Sequence, residues 1–297
     1  MTIDLASLPA PEVVESLAFE TILAEAKADF VERYPDAAAT IDLESDPVVK
    51  LLETFAYREL LLRARYNDEA RALLLAFATG ADLDHIGITY YNGTERLVVT
   101  PADDTTIPPT PAVMETHTDY RTRLQLQPES ESVAGPRDAY RFHAISASGQ
   151  VKDAQAIRPE SSTVQIFVLS RLGNGVADAG LLATVGNAVT PEDIRPMCDE
   201  VVVSSAAIVE YVLDVDLILF SGPSGEVVIP AAEAALAAFA AENHLLGNDI
   251  VDSAIKAAAH IPGVKKVIIN SPPADVVCTP GQAPYCTAIS VNVTAVE

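Results

Sequence analysis

Five histidines, three cysteines and one adjacent pair of aspartates are the side chains of this 297-residue sequence with types suited to catalysis or metal binding. A metal centre needs ligands gathered at helix-turn or loop spacing. His85, His117, His143, His244 and His260 fall in different segments and show no such spacing. His244 and His260 sit near expected helix C-termini, where a cation complements the helix dipole. Cys278 and Cys286 are close enough for a loop disulfide or half of a metal site. With no Cys-x-x-Cys pair and no neighbouring histidine, free thiols, together with Cys198, are the simpler reading. Asp103 and Asp104 have the residue types of an acid/base pair. Adjacent residues of an extended segment point to opposite sides, however, so a solvated surface is expected.

The glycines of "RLGNGVAD", residues 171–178, read as a loop before a helix rather than a phosphate cradle. No P-loop, Gly-x-Gly-x-x-Gly, His-Glu-x-x-His or Gly-x-Ser-x-Gly motif is present. Catalytic residues, cofactors and metals are therefore all expected to be absent. An enzyme with an unrecognised site, or a cytosolic adaptor, stays as the alternative.

Composition narrows the partners. The net charge of −23 divides as −8 over 1–80, −6 over 81–198 and −9 over 199–297. Lys256, Lys265 and Lys266 are the only basic residues after position 198. Binding to phosphate backbones or anionic lipid needs clustered cations, so neither nucleic acid nor membrane is an expected partner. No apolar run is long enough to span a bilayer, and "MTIDLASLPAPEVV" lacks the features of a secretory signal.

The elements that would position any site begin with helices. Pro11 suits a first helical turn, and Phe19, Ile22, Leu23, Ala26, Phe30 and Tyr34 form one apolar stripe that ends at Pro35. Asp46-Pro47 signals a second start. Val48, Leu51, Leu52, Phe55, Leu62, Tyr66, Leu73 and Phe77 then continue without a breaker to Gly80. A helix over 47–78 spans roughly 48 Å at 1.5 Å per residue, more than the first helix can cover. Its apolar side chains occupy more than one face, which predicts a helical bundle shared between chains. The bundle candidates are Phe19, Leu23, Phe30, Leu51, Leu52, Phe55, Leu62, Tyr66 and Leu73.

Beyond Gly80 the period changes. Asp82 is expected to cap one short turn, and Asn92-Gly93 to turn between strands at Ile88–Tyr91 and Leu97–Thr100. "TTIPPTP", with Pro108, Pro109 and Pro111, reads as a stiff extended connector near polyproline II. Thr118 or Asp119 is expected to cap a helix, with its turn uncertain at Pro128, and 133–147 gives another. "VKDAQAI" and "TVQIFVLS" read as strands flanking Pro159–Ser161, "ADAGLLATVGNAV" as a helix and "DEVVVSSA" as a strand. The last hundred residues read as a long strand "AIVEYVLDVDLILF", a helix opened by Pro230, a helix from Asn248 or Asp249, and strands "VKKVIIN" and "TAISVNVT". The expected fold class is a multidomain α+β protein: helices for an inter-chain bundle over 1–80, a small strand region and connector over 81–117, and two α+β sandwich-like domains over 118–205 and 206–297.

"ADDTTIPPTPAVMETHTDYRTRL" closely resembles a segment of the baseplate assembly protein J family of contractile-tailed phages and R-type bacteriocins. "LPAPEVVESLAFETILAEAKADF", "LESDPVVKLLETFAYRELLLRARYNDEARALLLAFATGADLDHIG", "LSRLGNGVADAGLLATV" and "SAAIVEYVLDVDLILFSGPSGE" resemble further parts of that family in order. The resemblance implies a structural protein of the tail baseplate wedge in a virion or bacteriocin, synthesised and assembled in the bacterial host cytoplasm. Two copies would join a protein I-like wedge subunit through the N-terminal bundle, beside a protein W-like, sheath-proximal subunit. A ring formed around the hub would widen to trigger sheath contraction, with contacts to hub and sheath. The C-terminal domain would pair neighbouring wedges. Because it carries −9, that pairing must use apolar or strand-edge contact, along the helix over 230–243 or the strand over 264–270. In a two-fold pair, Lys265 and Lys266 could face Glu242 or Asp249 of the other copy.

Overall fold

The structure is a computed structural model that describes residues 17–222 and 225–296; the helix start expected at Pro11 lies outside them. The chain forms two compact units that meet between Glu95 and Arg96.

In the first unit, α1 (Phe19–Arg33) packs against α2 (Pro47–Ala72), with a short 3-10 turn (Pro35–Ala39) between them. Asp46 starts α2 as expected. Its carboxylate accepts from the Val48 amide at 2.8 Å, and Pro47 fills the first helical position, where no amide donor is needed. The helix stops at Ala72, short of the expected 78, so its 26 residues span about 39 Å. Ile22, Val49 and Ala56 are buried, and their small or branched side chains let the two helices approach closely.

Helix α3 (Gly80–Tyr90) corrects the first strand reading, because it occupies Ile88–Tyr90. Asn92 (φ 50°) and Gly93 (φ 71°) terminate this helix rather than turning a hairpin. The Gly93 amide reaches the Ile88 carbonyl at 3.2 Å, the closing bond of a Schellman motif. Asn-Gly serves either purpose because both demand the left-handed region, and the helix won.

The second unit opens with β1 (Val98–Thr100) and β2 (Val113–Met114), paired antiparallel. Helices α4 (His117–Ser130), α5 (Arg137–Ser146) and α6 (Ala179–Val189) pack with β3 (Val151–Glu160), β4 (Thr163–Ser170) and β5 (Glu200–Ser205). The sheet order is β3-β4-β5, with β3 antiparallel and β5 parallel to the central strand. Its core joins Tyr140, Ala144, Val151, Ala154, Ile166, Val168 and Val185. Thr116, rather than Thr118 or Asp119, caps α4 by accepting from the Asp119 amide at 3.1 Å. The helix continues through Pro128, which lies in its last turn and disrupts little beyond it. Strand β3 likewise runs through Pro159, and the reversal comes at Ser162 (φ 66°).

The second sheet is β7-β6-β8, built from β6 (Ala207–Leu219), β7 (Val264–Ser271) and β8 (Gln282–Val296). Strand β6 pairs antiparallel with β7 and parallel with β8. Leu213, Val215, Leu217 and Leu219 alternate inward from β6 to meet α7 (Gly225–Asn243) and α8 (Asp252–Ala259) through Val228, Leu236 and Ile255. Helix α7 begins ahead of Pro230 and α8 begins at Asp252, later than expected.

The two sheets share a seam. Ala206, between β5 and β6, donates to the Val168 carbonyl at 2.8 Å, and Leu169, Ala206, Leu246 and Ala283 form a small common core. The buried Asp153 carboxylate on β3 accepts from the Leu246 amide beyond α7 at 3.2 Å. The protein is α+β and multidomain, with both sheets in one compact unit.

Candidate functional site

The α2 residues expected at an inter-chain bundle divide by face. Leu51, Phe55, Leu62 and Tyr66 on α2, and Leu73 at its C-cap, are between 47% and 79% exposed, a row of large apolar side chains that no described residue of their unit covers. Their spacing of 4, 7, 4 and 7 repeats every eleven residues, close to the natural period of a straight helix, so the row stays on one side. Leu52 is half-buried, as are Phe19, Leu23 and Phe30 on α1, and the Phe30 and Tyr34 rings lie 6.2 Å apart. Arg63 bonds Glu59 on its own helix and approaches Glu25 of α1 at 3.7 Å, tying the pair together beside the exposed row.

The proline connector is corrected. The chain does not extend through Pro108, Pro109 and Pro111 but turns back on itself. Asp103 and Thr110 exchange both backbone hydrogen bonds at 2.9 Å, continuing the β1–β2 ribbon outward. Prolines lack amide donors, which suits them to the turn of a narrow ribbon as well as to an extended connector. Asp103 anchors that turn: the Thr105 amide and hydroxyl both donate to its carboxylate and hold its pKa below the ordinary value. Its role is structural. The segment over 105–114 carries no charge, and Ile107 at the tip is 100% exposed.

The base of this hairpin is anchored by a buried group of polar residues that sequence reasoning missed. Glu115 pairs with Arg123 of α4, and both side chains are almost wholly buried, 2% and 3% exposed. The Leu97 amide donates to the Glu115 carboxylate at 3.1 Å, and Arg96 donates to the Glu115 carbonyl at 3.0 Å. The guanidiniums of Arg96 and Arg123 lie 4.8 Å and 5.3 Å from the Tyr120 ring centre, at cation–π distance. The only hint in the sequence is that Tyr120, Arg123 and Leu124 share one helix face, which places an arginine among core residues. A second clamp is formed by Gln150, which donates to the Val99 carbonyl. Beside it Gly149 is required, because any Cβ there would overlap the Val98 carbonyl.

The C-terminal candidates are dispersed over separate elements. Lys265 and Lys266 are exposed on the edge strand β7, and Glu242 is exposed in the last turn of α7. Asp249 is already engaged, because its carboxylate accepts from the Cys278 amide at 2.8 Å and holds the loop before β8.

The groups considered for chemistry also have local explanations. The cysteines are free, and burial raises the thiol pKa of Cys278 and Cys286. His244 is buried with Nδ1 2.6 Å from the Pro284 carbonyl, and burial lowers its pKa, which disfavours the cation expected at the helix end. The loop over 171–178 is the predicted helix approach. Ser170 donates to the Gly175 carbonyl, Gly175 (φ 101°) packs against Leu169 and His244, and Asp178 caps α6. Among the described residues no three histidine, cysteine or acidic side chains are placed to hold a metal, and no helix is long and apolar enough to cross a membrane.

Comparison with known proteins then gives a consistent answer along the chain. Residues 44–103 match the Baseplate J-like N-terminal domain, 132–205 the Baseplate J-like central domain and 211–292 the Baseplate J-like protein C-terminal domain. Baseplate protein J of Escherichia phage P2 is 52% identical over 294 residues, covering 97% of this chain and 97% of its own. A chain of the anti-feeding prophage baseplate, solved by cryo-electron microscopy, overlaps 60% of this chain and 42% of its own with a TM-score of 0.38 and 11% identity. On the three matched domains and the near full-length relative, this chain belongs to the baseplate protein J family.

Proposed function

We propose that this chain is a structural component of a phage tail baseplate and acts there as a wedge subunit rather than as an enzyme. Family membership supports the first part. The exposed row on α2 carries the second, because an isolated chain leaves about five large apolar side chains in water, at roughly 1.5–3 kcal/mol each if buried. Covering them requires other helices, and α2 is suited to receive them. It carries five basic and four acidic residues, a net +1 within a chain of −23, so helices of two copies can meet there without strong repulsion.

In this reading two α2 helices and a helix of a protein I-like subunit form the bundle, beside a protein W-like neighbour. The second unit makes the contact with the next wedge, and the resulting ring around the hub rearranges when the sheath contracts. Apolar and strand-edge contacts of the second sheet, with Lys265, Lys266 and Glu242 at its margins, make the contact between wedges. Co-expression with the neighbouring tail proteins tests the bundle. Phe55→Asp with Leu62→Asp should leave the thermal unfolding of the single chain unchanged, since both sites face solvent there, yet abolish co-purification. Co-purification at wild-type yield would overturn the proposal.

A further inference from the structure

Between the two sheets of the second unit lies a cavity of about 460 Å³, within the usual range for small-ligand sites. Lys152 and Arg171 line it beside His244, whose pKa burial lowers, with Ala237 and Ala241 among the small residues of its wall, and among the described residues no acidic side chain lines it. That is unusual in a chain with 42 acidic and 19 basic side chains.

The Lys152 ammonium donates to the Ala241 carbonyl at 3.0 Å and has no carboxylate in contact among the described residues. The two acidic groups that act on it from further off are both engaged. Asp119 bonds Arg171 at 2.9 Å, and Asp153 bonds Arg141 at 2.9 Å. Arg171 uses Nε on the Gly149 carbonyl and Nη1 on Asp119. Burial, and then the neighbouring Arg171, lower the Lys152 pKa, as expected for a cation held close to another without its own counter-ion. A half-buried ammonium beside a guanidinium is an arrangement that an anionic oxygen would relieve, and the alanine wall offers an apolar surface for the rest of such a ligand.

We propose that this cavity binds a carboxylate-bearing ligand, with the carboxylate on Lys152 and Arg171 and the body of the ligand against the α7 alanines. The carboxylate comes either from a free small acid or from an acidic side chain of a second copy. The inference is independent of the bundle on α2.

The probe is citrate, titrated calorimetrically into the full chain and compared with sodium chloride at matched ionic strength. Saturable binding is expected to the wild type, weakened about tenfold or more in Lys152→Met and restored in Lys152→Arg. Ala237→Glu supplies a tethered carboxylate from the helix surface. It should raise Tm and block citrate, and it decides the matter if Lys152→Met fails to fold. The absence of saturable binding to the wild type overturns the proposal, as does equal binding by folded Lys152→Met. Sedimentation separates the sources. Self-association that is reversed by citrate and lost in Lys152→Met identifies a second copy, whereas citrate binding at unchanged mass identifies a free acid.

Discussion

Removing the Glu115 carboxylate tests whether the hairpin is held by its buried ion pair. In Glu115→Ala the Arg123 guanidinium stays in a site only 3% exposed, without its counter-ion, and the Leu97 amide loses its acceptor. Breaking one partner of a buried pair costs about 3–5 kcal/mol, most of it the penalty of an uncompensated charge. The second unit runs over 96–297, a size at which each kcal/mol moves Tm by roughly 2–4 °C, so Tm should fall by about 6–20 °C. Arg123→Met alone should also destabilise, since Glu115 then stays buried. The double variant Glu115→Ala with Arg123→Met leaves no unpaired charge and should recover part of the loss, giving a coupling of at least ~1 kcal/mol. The assay is thermal unfolding by circular dichroism, with hydrogen exchange at the Leu97 and Glu115 amides as a local readout. A Tm within about 1 °C of wild type for Glu115→Ala, or strictly additive singles, would refute the reasoning.

Gly149→Ala should loosen the same hairpin from the other side, because the new methyl group displaces the Val98 carbonyl; limited proteolysis should then cut between 98 and 114 faster than in the wild type. Acid sensitivity is expected from His143 and His244. Burial holds both below the ordinary 6.5, so the unfolded chain binds more protons, and stability that is complete above about pH 6.5 declines as pH falls below it. Urea unfolding at pH 7.5 and 5.5 measures this, and His244→Gln should flatten the dependence.

Sequence reasoning succeeded where one physical signal dominated. Asp46-Pro47 fixes the start of α2, and the inward alternation of Leu213, Val215, Leu217 and Leu219 makes β6 unmistakable. It failed where one residue type serves two geometries. Asn92-Gly93 satisfies a helix end as readily as a hairpin, and prolines over 108–111 suit a turned ribbon as well as an extended connector. It also failed where the determining partner is distant in the fold: nothing near Lys152 in the sequence says that it will meet the end of α7, 89 residues away. The exposed row on α2 was legible as an excess of apolar side chains, but which of them face inward depended on the helix crossing.

The parallel pairing of β6 with β8 has a consequence for biosynthesis. Ala207 aligns with Gln282, so the central strand of the second sheet is made about 75 residues before its neighbour exists. On a ribosome adding roughly 5–20 residues per second, that interval lasts some seconds. For most of it β7, which begins at Val264, is not made either, and once made it covers only one flank, so β6 presents rows of open amides and carbonyls alongside an apolar face. A nascent chain in that state is a template for strands of neighbouring nascent chains. The topology therefore predicts a race between completing β8 and meeting another unfinished copy: slower translation across 220–282 should lower the soluble fraction without altering the finished fold.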